Sequence, residues 1–113
     1  MIDQNNEVPL FASRLNSMSS RRDLWTGDNS VLDWIARQGA IEGLNLVDFN
    51  CPQHLNGYTT EKVKKALDLA SLKTGAVCTR FTHEFENGAF THPESSKRKA
   101  AIDLVLNAGE WAR

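Results

Sequence analysis

The chain has 113 residues, the size of one small domain, and its 41% hydrophobic and 24% charged content is ordinary for a globular protein. A net charge of -1 builds no field for nucleic acid or an anionic membrane, and no apolar run approaches the roughly 20 residues that span a bilayer. Cys51 and Cys78 form no CxxC pair, and the polar, acidic start Met1–Glu7 lacks the chemistry of a signal peptide, so the cytoplasm is the expected compartment. Residues 1–8 read as a flexible lead-in.

From there, short apolar runs alternate three times with amphipathic helical patterns. The first strand is expected at Leu10–Leu15, followed by a long polar connection from Asn16 to Asn29 that carries Arg21, Arg22, Asp23, Trp25 and Gly27. That length exceeds the usual few residues of a strand–helix loop and favours a functional segment. Helix one is expected to start at Ser30, with Asp33 completing a capping box, and to stop at Gly39.

Strand two is expected at Leu44–Phe49, followed by the loop Asn50–Tyr58. Thr59 or Thr60 caps helix two, Val63, Ala66, Leu67 and Ala70 form its apolar stripe, and Gly75 marks the end of the unit. Strand three is expected at Ala76–Phe81, leading into a polar and aromatic loop, Thr82–Thr91. Pro93 then opens helix three, whose buried face is Ala101, Leu104, Val105, Ala108, Trp111 and Ala112. Strand and helix in regular alternation imply parallel strands with helices packed on them, an α/β fold. The apolar period of helix three runs to the last residues without a stop signal, and three such units do not close on themselves. We therefore expect residues 1–113 to be the first three βα units of a (β/α)8 barrel.

Active sites in such folds lie where the strands' C-terminal ends meet the following loops. His54 follows strand two and His83 follows strand three, with Glu84 and Glu86 nearby. Histidine with carboxylate is a metal-site vocabulary, yet no HExxH or CxxC spacing fixes a geometry, and each histidine reads equally as a solvated loop residue. His92, before a proline at a helix start, reads as a capping residue, and both cysteines read as structural. Trp25, Phe81, Phe85 and Phe90 lie in or beside strand-end loops, where an aromatic wall against the apolar face of a sugar is one use and packing under a turn is the other. No GxGxxG, Walker lysine loop or GxSxG is present, so nucleotide binding and serine hydrolysis have no support.

Three stretches taken in order carry a family resemblance. Phe81-Thr82-His83-Glu84-Phe85-Glu86-Asn87-Gly88-Ala89-Phe90-Thr91 resembles the loop after the third strand of bacterial xylose isomerases. Val47-Asp48-Phe49-Asn50 is similar to their second strand, and Arg22-Asp23-Leu24-Trp25-Thr26-Gly27 to the segment after their first. The resemblance implies a xylose-isomerase-like barrel, of the group that includes sugar phosphate isomerases and epimerases, a monosaccharide or sugar-derivative substrate, and aldose–ketose isomerisation or epimerisation. It also implies a divalent metal, Mn²⁺, Mg²⁺, Co²⁺ or Zn²⁺, held by carboxylates and a histidine on later strands, with no ligand and no catalytic residue in this segment, and self-association of the intact protein.

Position by position, Phe81 matches the aromatic wall of the family's sugar site. Asn50 and Gln53 stand where the family's ring-opening histidine and its aspartate partner would be, and Asn16 stands where a site tryptophan would be. These departures imply a relative with a different substrate. Asn16, Trp25, Asn50, Gln53, His54, Phe81 and His83 are the expected substrate-facing residues. Three rivals stay open: a metal-assisted lyase or deglycosylase on the same barrel, an endonuclease of the same superfamily (disfavoured by the charge), and a non-catalytic α/β module completed by a partner.

Overall fold

A computed structural model describes residues 8–20 and 30–113. Three parallel strands, β1 (Ala12–Arg14), β2 (Leu46–Cys51) and β3 (Lys73–Thr79), form one sheet in the order β1-β2-β3. Between and after them run α1 (Val31–Gly39), α2 (Thr60–Leu69) and α3 (Ser95–Ala112), with 3-10 segments at Leu15–Ser20 and His83–Phe85. The alternation read from the sequence is therefore an α/β fold with a parallel sheet. No helix among the described residues is long and apolar enough to cross a membrane.

Side chains alternate across the sheet, and β2 shows the consequence. Val47, Phe49 and Cys51 are 0–1% exposed and form one cluster with Val31 and Ile35 of α1, Val63 and Leu67 of α2, and Ala108 of α3. All three helices thus bury into the same face. Leu46 and Asp48 point to the other face, opposite Ala12 and Arg14 of β1. Across from Asp48, two β3 residues, Gly75 and Ala76, occupy the space of one, because Thr74 pairs with Val47 and Val77 with Phe49. This is a β-bulge.

Helix starts follow the sequence closely. Ser30 Oγ accepts the Asp33 N–H at 3.2 Å while the Asp33 carboxylate accepts the Ser30 N–H at 3.4 Å, and Thr59 Oγ1 accepts the Lys62 N–H at 3.2 Å. Before α3, His92 Nδ1 accepts the Glu94 N–H at 3.0 Å, the capping role expected of it, although the helix begins at Ser95, two residues beyond Pro93.

Helix stops and strand positions differ. Gly75 does not end the second unit; it lies inside β3, where a side chain would collide with the Asp48 carboxylate and Leu46. The stop of α2 is instead a Schellman motif: Leu72 N–H donates to Leu67 O at 2.9 Å and Ser71 N–H to Asp68 O at 3.2 Å, with Ser71 at φ 58°. Because the chain turns there, β3 starts three residues earlier than expected. Gly39 is the last residue of α1, where a Cβ would come within 2.7 Å of the Ala70 Cβ, so its lack of a side chain lets α1 approach the end of α2.

Strand β1 is shorter than the apolar run suggested. Leu10 and Phe11 are 66% and 59% exposed, and Leu15, fully buried, already belongs to the 3-10 turn. Strand β2 runs two residues further than expected and takes in Asn50 and Cys51. On α3, Ala101 and Ala108 are buried and Leu104 and Trp111 half-buried, but Val105 and Ala112 are exposed.

Candidate functional site

The C-terminal ends of β2 and β3 are tied together one step past their last pair, where Arg80 N–H donates to Cys51 O at 2.9 Å. Beyond Cys51 the chain passes through a cis bond to Pro52 into a tight turn, with His54 N–H donating to Asn50 O at 2.9 Å and Asn56 N–H to Pro52 O at 2.8 Å. The turn folds His54 back over the strand end, where its Nδ1 accepts the Asn50 backbone N–H at 2.8 Å.

That one bond fixes the chemistry of the ring. A nitrogen that accepts carries no proton, so the hydrogen of the neutral ring is on Nε2. The ring is 5% exposed and sits edge-on to Trp34, centroids 6.0 Å apart. Burial first, and the positive charge of Arg80 second, hold its pKa below the ordinary 6.5. At neutral pH it is an uncharged hydrogen-bond donor. Nε2 makes no hydrogen bond to a described residue, and Gln38 Oε1 is the one partnerless side-chain N or O atom sealed from solvent among the described residues, so Nε2 reaches the surface.

Beside this turn, the loop after β3 builds an aromatic triad. Phe81 packs edge-to-face against Phe85 (5.4 Å) and Phe90 (5.3 Å). Phe85 is buried and anchors the group, while Phe81 and Phe90 remain 38% and 53% exposed. Such a group presents apolar ring surface to solvent on a fixed base.

The expected site residues divide accordingly. Asn50 and His54 come together at the end of β2, and Phe81 stands at the adjacent end of β3. Asn16 lies half-buried in the 3-10 turn after β1, on the same end of the sheet. Gln53 is exposed in the turn, and His83 is almost fully exposed, its Nδ1 3.5 Å from Glu86 Oε2. Trp25, with the whole segment 21–29, lies outside the described residues. Sequence reasoning passed over Arg80. The signal for Arg80 was its place, two residues past Cys78 on the alternation of β3.

Metal and nucleophile chemistry find little support in these side chains. Among the described residues no three His, Cys, Asp or Glu groups gather to hold a cation, and the buried His54 has already committed one ring nitrogen to the backbone. The described residues do not fit a metal centre. Cys51 is fully buried, its thiol pKa is pushed up by that burial, and its sulfur accepts Asn107 Nδ2 at 3.7 Å, so it is a packing residue rather than a reactive thiol. What the arrangement offers is a surface-reaching N–H donor, a cation and an aromatic wall at neighbouring strand ends. No protein-family model matches this chain, and no curated protein matches it.

Proposed function

We propose that this chain is the substrate-walling part of a xylose-isomerase-like (β/α)8 barrel that isomerises or epimerises a sugar. The observation that carries the reading is the consecutive parallel order β1-β2-β3, with the helices on one face and His54, Asn50 and Phe81 collected at the strands' C-terminal ends. A barrel built from its first strand onward has this neighbour order and places its substrate at this end. The opposite sheet face, with Ala12, Arg14, Leu46 and Asp48, is the one that would turn inward.

On this reading Phe81 lies against the apolar face of the sugar, and the Nε2–H of His54 donates to a hydroxyl or carbonyl oxygen. The ring, neutral and locked in one tautomer, orients the substrate and moves no proton itself. The divalent cation that the resemblance implies is held by groups other than the described ones. The test is proton exchange at C2 of a panel of aldoses and ketoses, followed by NMR with the protein in Mn²⁺ or Mg²⁺. Exchange with at least one sugar, weakened in KM by Phe81→Ala, supports the reading. Absence of both exchange and sugar binding across the panel overturns it.

A further inference from the structure

We propose that the turn after β2, residues 50–58, is a latch released by a proton: protonation of His54 at Nδ1 breaks its bond to the Asn50 N–H and frees the turn while the sheet and helices stay folded. Release of this turn does not depend on what the protein binds.

Bond and proton compete for one lone pair. Nδ1 accepts the Asn50 N–H at 2.8 Å and the hydrogen of the neutral ring is on Nε2, so acid can charge the ring only at Nδ1. A protonated Nδ1 is a donor, and in place it would face a second donor, the Asn50 N–H, with the residue only 5% exposed. No neighbour offsets that cost. From α1 the ring meets the uncharged Trp34, and β2 offers Asn50 and Cys51, whose thiol burial keeps neutral. From β3 the charged group that bears on the ring is Arg80, a cation. Among the described residues no carboxylate pairs with the ring. The imidazolium is therefore accommodated only when the ring swings out into water.

The turn can open alone because its hydrogen bonds are its own. His54 N–H donates to Asn50 O at 2.9 Å, Leu55 N–H and Asn56 N–H donate to Pro52 O at 3.1 and 2.8 Å, and Tyr58 N–H donates to Leu55 O at 3.1 Å. No hydrogen bond among the described residues joins residues 52–57 to another element, apart from the one that His54 makes back to the strand end. Two buried side chains hold the segment to the body, His54 and Leu55, and a proton detaches the first. The ladder between β2 and β3 ends before the turn, at the link from Arg80 N–H to Cys51 O, and loses nothing when the turn leaves. A segment with local bonds and few anchors opens at a lower free energy than the whole chain unfolds.

The experiment is amide hydrogen exchange, read by NMR on the isotope-labelled chain from pH 7.5 to pH 5, with each rate divided by the intrinsic rate at that pH. One proton taken up per opening raises the opening constant about tenfold per pH unit below the ordinary histidine value of 6.5. That slope is expected at the Asn50, His54 and Asn56 amides together, and at rates above those of Arg80 and of the amides inside α1 and α2 at every pH. His54→Asn takes up no proton in this range, and its amide oxygen can still accept the Asn50 N–H, so the slope should vanish. If that variant does not fold, the ring nitrogens of the unaltered protein decide: a ring that charges in step with exchange of the turn amides supports the latch. Ring nitrogens that titrate while the Asn50 amide stays protected overturn it, because the ring then charges in place. Turn amides that exchange only as fast as the helix amides overturn it too, since the whole chain is then unfolding, as does a slope that survives in His54→Asn.

Discussion

His54 shows how a single backbone contact decides what a side chain can do. Its Nδ1 is tied to the Asn50 N–H and its ring is buried against Trp34, so the folded ring binds a proton less readily than the unfolded chain does. The unfolded state then holds more protons than the folded one below about pH 6.5. Stability should fall as pH drops through that value and continue falling until the folded ring itself protonates. Denaturant melts at pH 5, 6 and 7 read this slope. His54→Asn, whose amide oxygen can still accept the Asn50 N–H, should flatten it. The aromatic triad separates two roles in the same way. Phe85→Ala removes a buried anchor and should cost about 3 kcal/mol. Phe81→Ala removes a part-exposed ring with two edge contacts and should cost about 1 kcal/mol. If sugar binding drops in the second variant far more than stability does, Phe81 faces substrate; equal modest losses would make it a packing residue.

Among the elements, the turn from α2 into β3 is the place where local chemistry and fold disagree. A Schellman turn puts its C′ residue in the left-handed region, usually glycine, and here it is Ser71 at φ 58°. A side chain in that region costs roughly 1 kcal/mol. Ser71→Gly should therefore raise stability by about 0.5–1 kcal/mol with no change in spectrum, a shift measurable as a higher denaturation midpoint. The same serine explains why the sequence misplaced β3: with no glycine at the true stop, Gly75 looked like one. Gly75 is required for another reason, the bulge packed against Asp48, and that requirement depends on a neighbour distant in sequence. Capping residues were readable because Ser30, Asp33 and Thr59 act on backbone groups within three residues. The periodic stripe of α2 was readable because Val63, Ala66, Leu67 and Ala70 all pack into one cluster, whereas α1 buries Val31, Ile35 and Gln38. Nothing local announced that Leu10 and Phe11 precede the first strand, since its register with β2 starts at Ala12 and only the Phe11 carbonyl reaches β2, accepting the Leu46 N–H at 3.0 Å. For the candidate site, the gathering of loops was legible from strand order alone. The lock on His54 and the register of Arg80 were not, because each depends on how two strand ends meet.

At the scale of the molecule, the helices and the sheet leave an asymmetry. One sheet face carries the whole core cluster, while Ala12, Arg14, Leu46 and Asp48 share a face that receives no helix among the described residues. Parallel sheets are ordinarily covered on both faces, and a long unpaired edge strand is an invitation to pairing. Strand β3 is such an edge, with Lys73–Ala76 exposed, and α3 adds Ile102, Val105 and Leu106 at i, i+3, i+4 spacing, 51%, 39% and 63% exposed. The open backbone edge of β3 and the apolar stripe of α3 both favour self-association. We expect the 113-residue chain to sediment above its 12.6 kDa monomer mass as concentration rises, and Ala76→Lys, which sets a charge in the bulge of the edge strand, to return it toward the monomer. A concentration-independent 12.6 kDa monomer with a sharp unfolding transition would mean that one covered face suffices. The open face would then need no further strands, and the barrel reading would lose its physical reason.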